Sequence, residues 1–148
     1  SCVGRTLLIV SVLALASFLL VQFLVTSDRE RVEAEIERLA QLGREGGPEA
    51  VRGILDAFAD DYRGSGAFSR ASIERQLERW VAPGTMRRVT LGDPAPIATD
   101  TGGILVPILR VTVETDEGIA GTFVLTVTWE ERGEAWRILD ITRWEIGR

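Results

Sequence analysis

The chain has 148 residues, a net charge of −5, and acidic and basic residues interleaved along its length. No basic stripe is present, so nucleic acid is not an expected partner. Histidine is absent and cysteine occurs once, which removes the commonest general base and metal ligand together and excludes a disulfide within the chain. All seventeen basic residues are arginine, a composition that points to a GC-rich, bacterial genome.

The first element is apolar. Thr6 to Val25 carries no charge, and none appears between Arg5 and Asp28. At the helical rise this length is roughly 30 Å, the thickness of a bilayer's hydrocarbon core. A cleaved signal would have a shorter apolar core. Ala14-Leu15-Ala16 has the letters of a cleavage site, but the apolar run continues past it to Val25. A buried core helix would show a polar face. A single membrane span over 6–26, after a short tail over 1–5, fits best. Ser11, Ala14 and Ser17 recur every three residues and form a small-residue stripe on which another helix could pack. Such a stripe also arises by chance in any Ala- and Ser-rich segment. Gln22 can reach the headgroups or bond to a neighbouring helix. Cys2 could carry a lipid or be an incidental thiol. Arg29, Arg31, Arg38 and Arg44 after the span would by count keep the domain in the cytoplasm. A short basic tail before a long apolar run instead resembles an exporting anchor. The expectation is a bacterial inner-membrane protein with its domain on the periplasmic side.

Ser27-Asp28-Arg29-Glu30 has the form of a capping box. Val32, Ile36, Leu39 and Ala40 then make a narrow apolar stripe, with Arg29–Glu33 and Arg31–Glu35 one turn apart. The helix is expected to stop at Gly43. Two readings stay open. The segment either continues the span as a stalk or breaks at Ser27, and its stripe meets either a partner helix or its own domain. After the linker (27–46 for stalk and linker together), Pro48 opens a second helix. Val51, Ile54, Leu55, Phe58 and Tyr62 give it an amphipathic face as far as Tyr62. Ser69 caps a third, with Ile73, Leu77, Trp80 and Val81 on its apolar face, ending at Pro83-Gly84.

From Met86 the period becomes two. Strands are expected over Met86–Leu91, Ile104–Thr115, Ile119–Glu130 and Ala135–Ile146, with a loop over Gly92–Gly103. Pro107 belongs near a strand start or an edge. Helices followed by a meander of long antiparallel strands is an α+β order, and such strands curl.

The run Phe123-Val124-Leu125-Thr126-Val127-Thr128-Trp129, the Gly133 turn and Trp136-Arg137-Ile138-Leu139-Asp140-Ile141 resemble the closing hairpin of nuclear-transport-factor-2-like domains. The helix from Pro48 is similar to the opening helix of those domains. The resemblance covers about residues 47–147, so the domain is placed at 47–148. It implies a cone of helices packed on a curved antiparallel sheet. The superfamily includes isomerases, dehydratases, transport adaptors and domains that only bind partners, and the fold does not choose among them. Membrane-anchored members it brings to mind are assembly subunits of envelope machines, such as the inner-membrane core component of type IV secretion systems. This chain is short for that role.

Enzymes of the superfamily place an acid or base and a hydrogen-bond donor inside the cone. Candidates here are Asp60, Asp61, Tyr62 and Asp140. Asp140 shares the strand parity of Trp136, Ile138, Trp144 and Ile146. A carboxylate among aromatics would have a raised pKa, as a general base needs. A bulge in the strand would instead turn Asp140 to solvent. Phe58, Tyr62, Trp129 and Asp140 are the candidate cavity-lining residues. No catalytic residue is assigned, no cofactor is expected, and the carboxylates show no metal-ligand spacing. Trp144 is either an interface anchor or a cap on the open end of the cone. Candidate interface residues are Ser11, Ala14, Ser17, Gln22, Val32, Ile36, Leu39 and Trp144.

Two functions are consistent with these features. The first is a non-catalytic accessory or scaffold subunit that docks through its span and its domain to a larger membrane complex. The second is a membrane-tethered binder or enzyme that uses the cone cavity for a small apolar ligand. A cavity lined by Tyr62 and Asp140 would favour the second, and a cone plugged by its own side chains the first.

Overall fold

The computed structural model describes residues 2–143, apart from the side chains of 22–27 and 119–120. Helix α1 is one uninterrupted element, Cys2–Glu45, about 66 Å long at the helical rise. No glycine or proline lies between Gly4 and Gly43, so nothing interrupts its hydrogen-bond ladder. The capping box at Ser27 therefore starts no helix, and α1 passes through it.

The two halves of α1 meet different surroundings. Cys2–Val21, with a mean hydropathy of 2.2, is long and apolar enough to cross a membrane, and nothing among the described residues covers it. The second half packs on the domain. Val32 is 0% exposed, and Ile36 and Ala40 are buried with it. The stripe expected as a candidate partner-helix interface is thus part of the core, and Leu39 packs against the same cluster. Burying side chains of this kind stabilises by about 2 kcal/mol each, so the sheet claims the stripe.

Helix α1 ends at Glu45, two residues beyond the expected stop. Gly43 stays helical and lies against the Val89 side chain. The real terminator is Gly46, at φ 69°, whose N–H donates to the Leu42 carbonyl at 3.0 Å. That is a left-handed helix cap.

Helix α2 spans Pro48–Leu55, not Pro48–Tyr62. Past it the chain lies along the sheet edge. The Ile138 N–H donates to the Ala57 carbonyl at 2.7 Å, the Ala59 N–H to the Ile138 carbonyl at 2.9 Å, and the Arg63 N–H to the Leu139 carbonyl at 2.8 Å. Those bonds replace the helical ones, and they cover an edge that would otherwise be open to association. Helix α3, Arg70–Trp80, is capped as expected, with the Ser69 hydroxyl accepting from the Ser72 N–H at 3.2 Å.

Strands β1 (Met86–Leu91), β3 (Ile104–Thr115), β4 (Gly118–Arg132) and β5 (Ala135–Arg143) form an antiparallel sheet in the order β1-β3-β4-β5. The expected loop over 92–103 contains a two-residue strand, β2 (Ile97–Ala98), paired to the start of β3. The last three residues of the expected final strand lie outside the described residues. The result is α+β: helices packed on one face of a curved antiparallel sheet. The core sits between them, centred on Trp129 (1% exposed), Val106 and Val32.

Two irregularities aim side chains. Val106 pairs with Val127 and Leu109 with Leu125, so β3 carries one surplus residue next to Pro107. Trp129 pairs with Ile138 and Thr128 with Asp140, so Leu139 is surplus on β5. Each is a bulge, and each resets the parity of the residues beyond it.

Candidate functional site

The inner face of the sheet and the three helices line a half-open cavity of about 270 Å³. α1 contributes Ile36, Leu39 and Ala40, α3 contributes Leu77 and the adjoining Val81, and the sheet contributes Val111, Leu125, Val127, Trp129 and Ile141 among others. None of the lining side chains is ionisable. Among the described residues, the one strong hydrogen-bonding group in the wall belongs to Trp129, whose indole Nε1 is buried without a partner.

A second, outer chamber of about 410 Å³ adjoins the cavity and shares Leu77, Val81, Met86 and Val113 with it. This is the mouth of the cone. Trp80 (38% exposed) and Phe123 (46% exposed) stand on its rim. Trp80 Nε1 donates to Gln76 Oε1 at 3.2 Å, and the Arg79 guanidinium stacks 5.3 Å from the Trp80 ring centre. Among the described residues, Arg143 is the one charged residue lining the mouth.

The four candidate cavity residues separate. Phe58 and Trp129 line the cavity. Tyr62 and Asp140 do not. Tyr62 packs edge-on against Phe58, ring centres 4.9 Å apart, and its hydroxyl donates to the Phe68 carbonyl at 2.7 Å. Burial pushes its phenol up to about 12, and the nearby Asp140 carboxylate adds to the shift. Its donor is already committed to the backbone. Asp140 is turned away by the Leu139 bulge. Ile138 before the bulge and Ile141 after it both reach the cavity, which leaves Asp140 on the opposite face, across from Thr128. The pairing of Asp140 with Trp136 and Ile138 expected from parity is therefore undone by one extra residue.

Asp60 and Asp61 lie on the outside, in a polar surface pocket of about 360 Å³ with Asp56, Arg70, Arg132 and Arg137. Arg132 bridges Asp61 at 3.0 Å and Glu130 at 2.9 Å. The hydrogen bond from Arg132 holds the Asp61 carboxyl below the usual carboxylate range. Arg137 donates to the Asp56 carbonyl oxygen. These contacts tie the 56–61 segment to the β4–β5 hairpin. Among the described residues, no three carboxylate or thiol side chains gather in a geometry that could hold a metal ion.

No family model matches the chain, and no curated protein matches it in sequence. Solved structures do. An NTF2-like protein with a cystatin-like fold from Novosphingobium aromaticivorans superposes with a TM-score of 0.66 at 15% identity, over 83% of this chain and 84% of that one. A putative scytalone dehydratase from the same organism gives 0.58 at 11% identity, over 82% and 91%. Bd1075 from Bdellovibrio bacteriovorus gives 0.62 at 13% identity over 81% of this chain, and the match spans only 41% of the length of that protein. The fold is nuclear-transport-factor-2-like.

In this nuclear-transport-factor-2-like cone the sequence-level candidates missed the mouth. Gln76, Trp80, Phe123 and Arg143 gather there from α3, β4 and β5. A signal for Arg143 existed, since it shares the parity of Ile141, but only for a reader who had placed the bulge. On α1, Ser11, Ala14 and Ser17 lie on the exposed helix surface, and Cys2 is an exposed free thiol. The Gln22 side chain and Trp144 fall outside the described residues.

Proposed function

We propose that this chain is a non-catalytic accessory subunit, anchored in a bacterial inner membrane by Thr6–Thr26 and docked through its span and its domain to a larger membrane protein complex of the secretory, respiratory or photosynthetic kind. The observation that carries this reading is the single helix α1, which is apolar and uncovered over Cys2–Val21 and part of the domain core from Val32 onward. A helix without a break holds the domain at a fixed height and orientation over the bilayer. A docked subunit needs that rigidity, and a diffusing ligand does not. The interior supports the non-catalytic part. Enzymes need an acid or base within reach of the substrate, and the cavity wall carries no ionisable side chain. One neighbour of this fold is described as a dehydratase, but fold alone does not transfer its chemistry.

The test is extraction from native membranes in a mild detergent through a C-terminal affinity tag, followed by native mass analysis. A stoichiometric larger assembly is expected. Inserting a flexible Gly-Ser-Gly linker after Ser27 should abolish it while leaving the anchor and the folded domain intact. Recovery of a lone monomer or homodimer in several mild detergents overturns the reading. The domain is assigned to the periplasmic side. A membrane-impermeant maleimide added to intact spheroplasts should then label a Ser65→Cys variant and spare Cys2, the only native thiol. The reverse pattern places the domain in the cytoplasm.

One observation favours a second reading, in which the cone binds an apolar ligand. The cone is not plugged by its own side chains: about 270 Å³ remains inside, near the lower end of small-molecule pockets.

A further inference from the structure

Three features of the cone and its mouth bear on what could occupy them, beyond the bare existence of a cavity. Apart from the Trp129 indole, the inner chamber is lined by apolar side chains and carries no charge, so it suits the tail of a ligand and not a charged head. The outer chamber adjoins the inner one, and the two share the side chains of Leu77, Val81, Met86 and Val113, so a ligand that displaces these side chains would span both. In a protein of net charge −5, the described residues that line the mouth include no carboxylate, and the one charged side chain among them is the guanidinium of Arg143. Among the described residues Arg143 makes no ion pair.

The placement of that guanidinium is set by the strand. Leu125, a cavity residue, pairs with Arg143, and Ile141, also a cavity residue, stands two positions before it. β5 after the Leu139 bulge therefore presents Ile141 to the inner chamber and Arg143 to the outer one. The Gln76 amide and the Trp80 indole, already hydrogen-bonded to each other, stand in the same chamber. A planar guanidinium matches a carboxylate in a two-pronged pairing. Free fatty acids partition from water into a bilayer such as the one in which α1 is proposed to sit, which would bring single-chain carboxylates near the domain.

We infer that the cone binds a long-chain fatty acid, with the hydrocarbon tail in the inner chamber and the carboxylate at the mouth against Arg143. This rests on the ligand-binding reading of the cone and is independent of the accessory-subunit reading.

The experiment uses the full chain in phosphatidylcholine vesicles and tryptophan fluorescence. All four tryptophans lie from Trp80 onward, outside the apolar stretch, and Trp129 is in the cavity wall. Dibromostearic acid is added, since bromine quenches indole emission on contact. Vesicles of a dibrominated phosphatidylcholine, whose two chains do not fit the cavity, report quenching from the bilayer alone. Saturable quenching by the fatty acid beyond that background is expected. Arg143→Glu should weaken it about tenfold and Arg143→Gln by several-fold, the scale of one charge-assisted hydrogen bond. Dibromostearyl alcohol should bind the wild type and both variants alike. If the fatty acid binds saturably but the Arg143 variants bind it as well as the wild type, the head-group assignment is overturned and the apolar-cavity reading survives. If neither the acid nor the alcohol quenches beyond background, both fall. Arg143 is exposed, so its variants leave the core intact. Unchanged near-ultraviolet circular dichroism checks this.

Discussion

The guanidinium of Arg44 grips the carbonyl oxygen of Val89 with two donors, Nε at 3.1 Å and Nη2 at 2.7 Å. Val89 lies on β1, the strand at one end of the sheet. An edge strand presents unpaired carbonyls and is a template for association. The last turn of α1 thus closes one edge with a side chain, while Ala57–Arg63 closes the other with backbone. Replacing Arg44 with Ala removes a hydrogen-bonded charge from a partly buried carbonyl. A loss of about 1–2 kcal/mol is expected, with new self-association through β1. Chemical denaturation and light scattering of the detergent-solubilised chain check both. Unchanged stability and no association would mean that water or Arg88 serves the edge equally well.

Gly46 and Gly47 sit side by side after α1, at φ 69° and 94°, yet they meet different surroundings. A Cβ on Gly46 would fall 2.6 Å from the Gly84 Cα and 3.0 Å from the Val81 carbonyl oxygen, whereas a Cβ on Gly47 would meet nothing within 4 Å. Gly47, at ψ 167°, has a backbone conformation that almost only glycine adopts, so Gly47→Ala should cost the backbone strain alone, about 1–3 kcal/mol. Gly46→Ala adds a clash with backbone that cannot swing aside, and about 3 kcal/mol or more is expected. Parallel urea titrations of the two variants give the comparison. Equal losses would show that the contact between the α1 cap and the end of α3 yields freely.

Tyr62 makes alkaline stability unusually simple to read. The chain has one tyrosine and no lysine, and arginine stays charged in this range, so above pH 10 one side chain titrates. Its folded value is raised to about 12, above the ordinary value of about 10. In that window the unfolded chain releases the proton while the folded chain keeps it. Folding stability therefore falls as pH rises from about 10 to 12 and is insensitive to Tyr62 below about pH 10. The ring is only partly buried, and solvent screening brings the loss to about 1 kcal/mol. Denaturation midpoints at pH 9 and pH 11.5 should differ in the wild type and coincide in Tyr62→Phe. Absorbance at the phenolate band tracks the same titration directly. An onset near pH 10 in the folded protein would mean that the phenol is not desolvated by its surroundings.

Much of this architecture is legible in the residues because it depends on local chemistry. The period-two runs place β1, β3 and the body of β4, Ser69 caps α3, and the uncharged stretch from Thr6 to Val25 marks the candidate span. Each of these depends on spacing within a few residues, which a single chain displays in full. The stop at Gly46 rather than Gly43 could not be chosen locally, because both are glycines. Only the approach of Gly84 singles out Gly46 as the position where no side chain fits.

Tertiary structure alone decided the site. The spacing of Phe58 and Tyr62 continues a helical face, but the backbone of 57–63 finds better partners on Ile138 and Leu139, and α2 ends early. Asp140 has the sequence parity of Trp136 and the cavity residue Ile138, yet one surplus residue at Leu139 sends it to the far face and brings Arg143 to the mouth. The stripe of Val32, Ile36 and Leu39 is compatible with a partner helix or with a sheet, and which surface covers it is a property of the whole fold. Periodicity reports which residues share a face. It does not report what that face meets, because a bulge costs one residue of sequence and reverses every side chain after it.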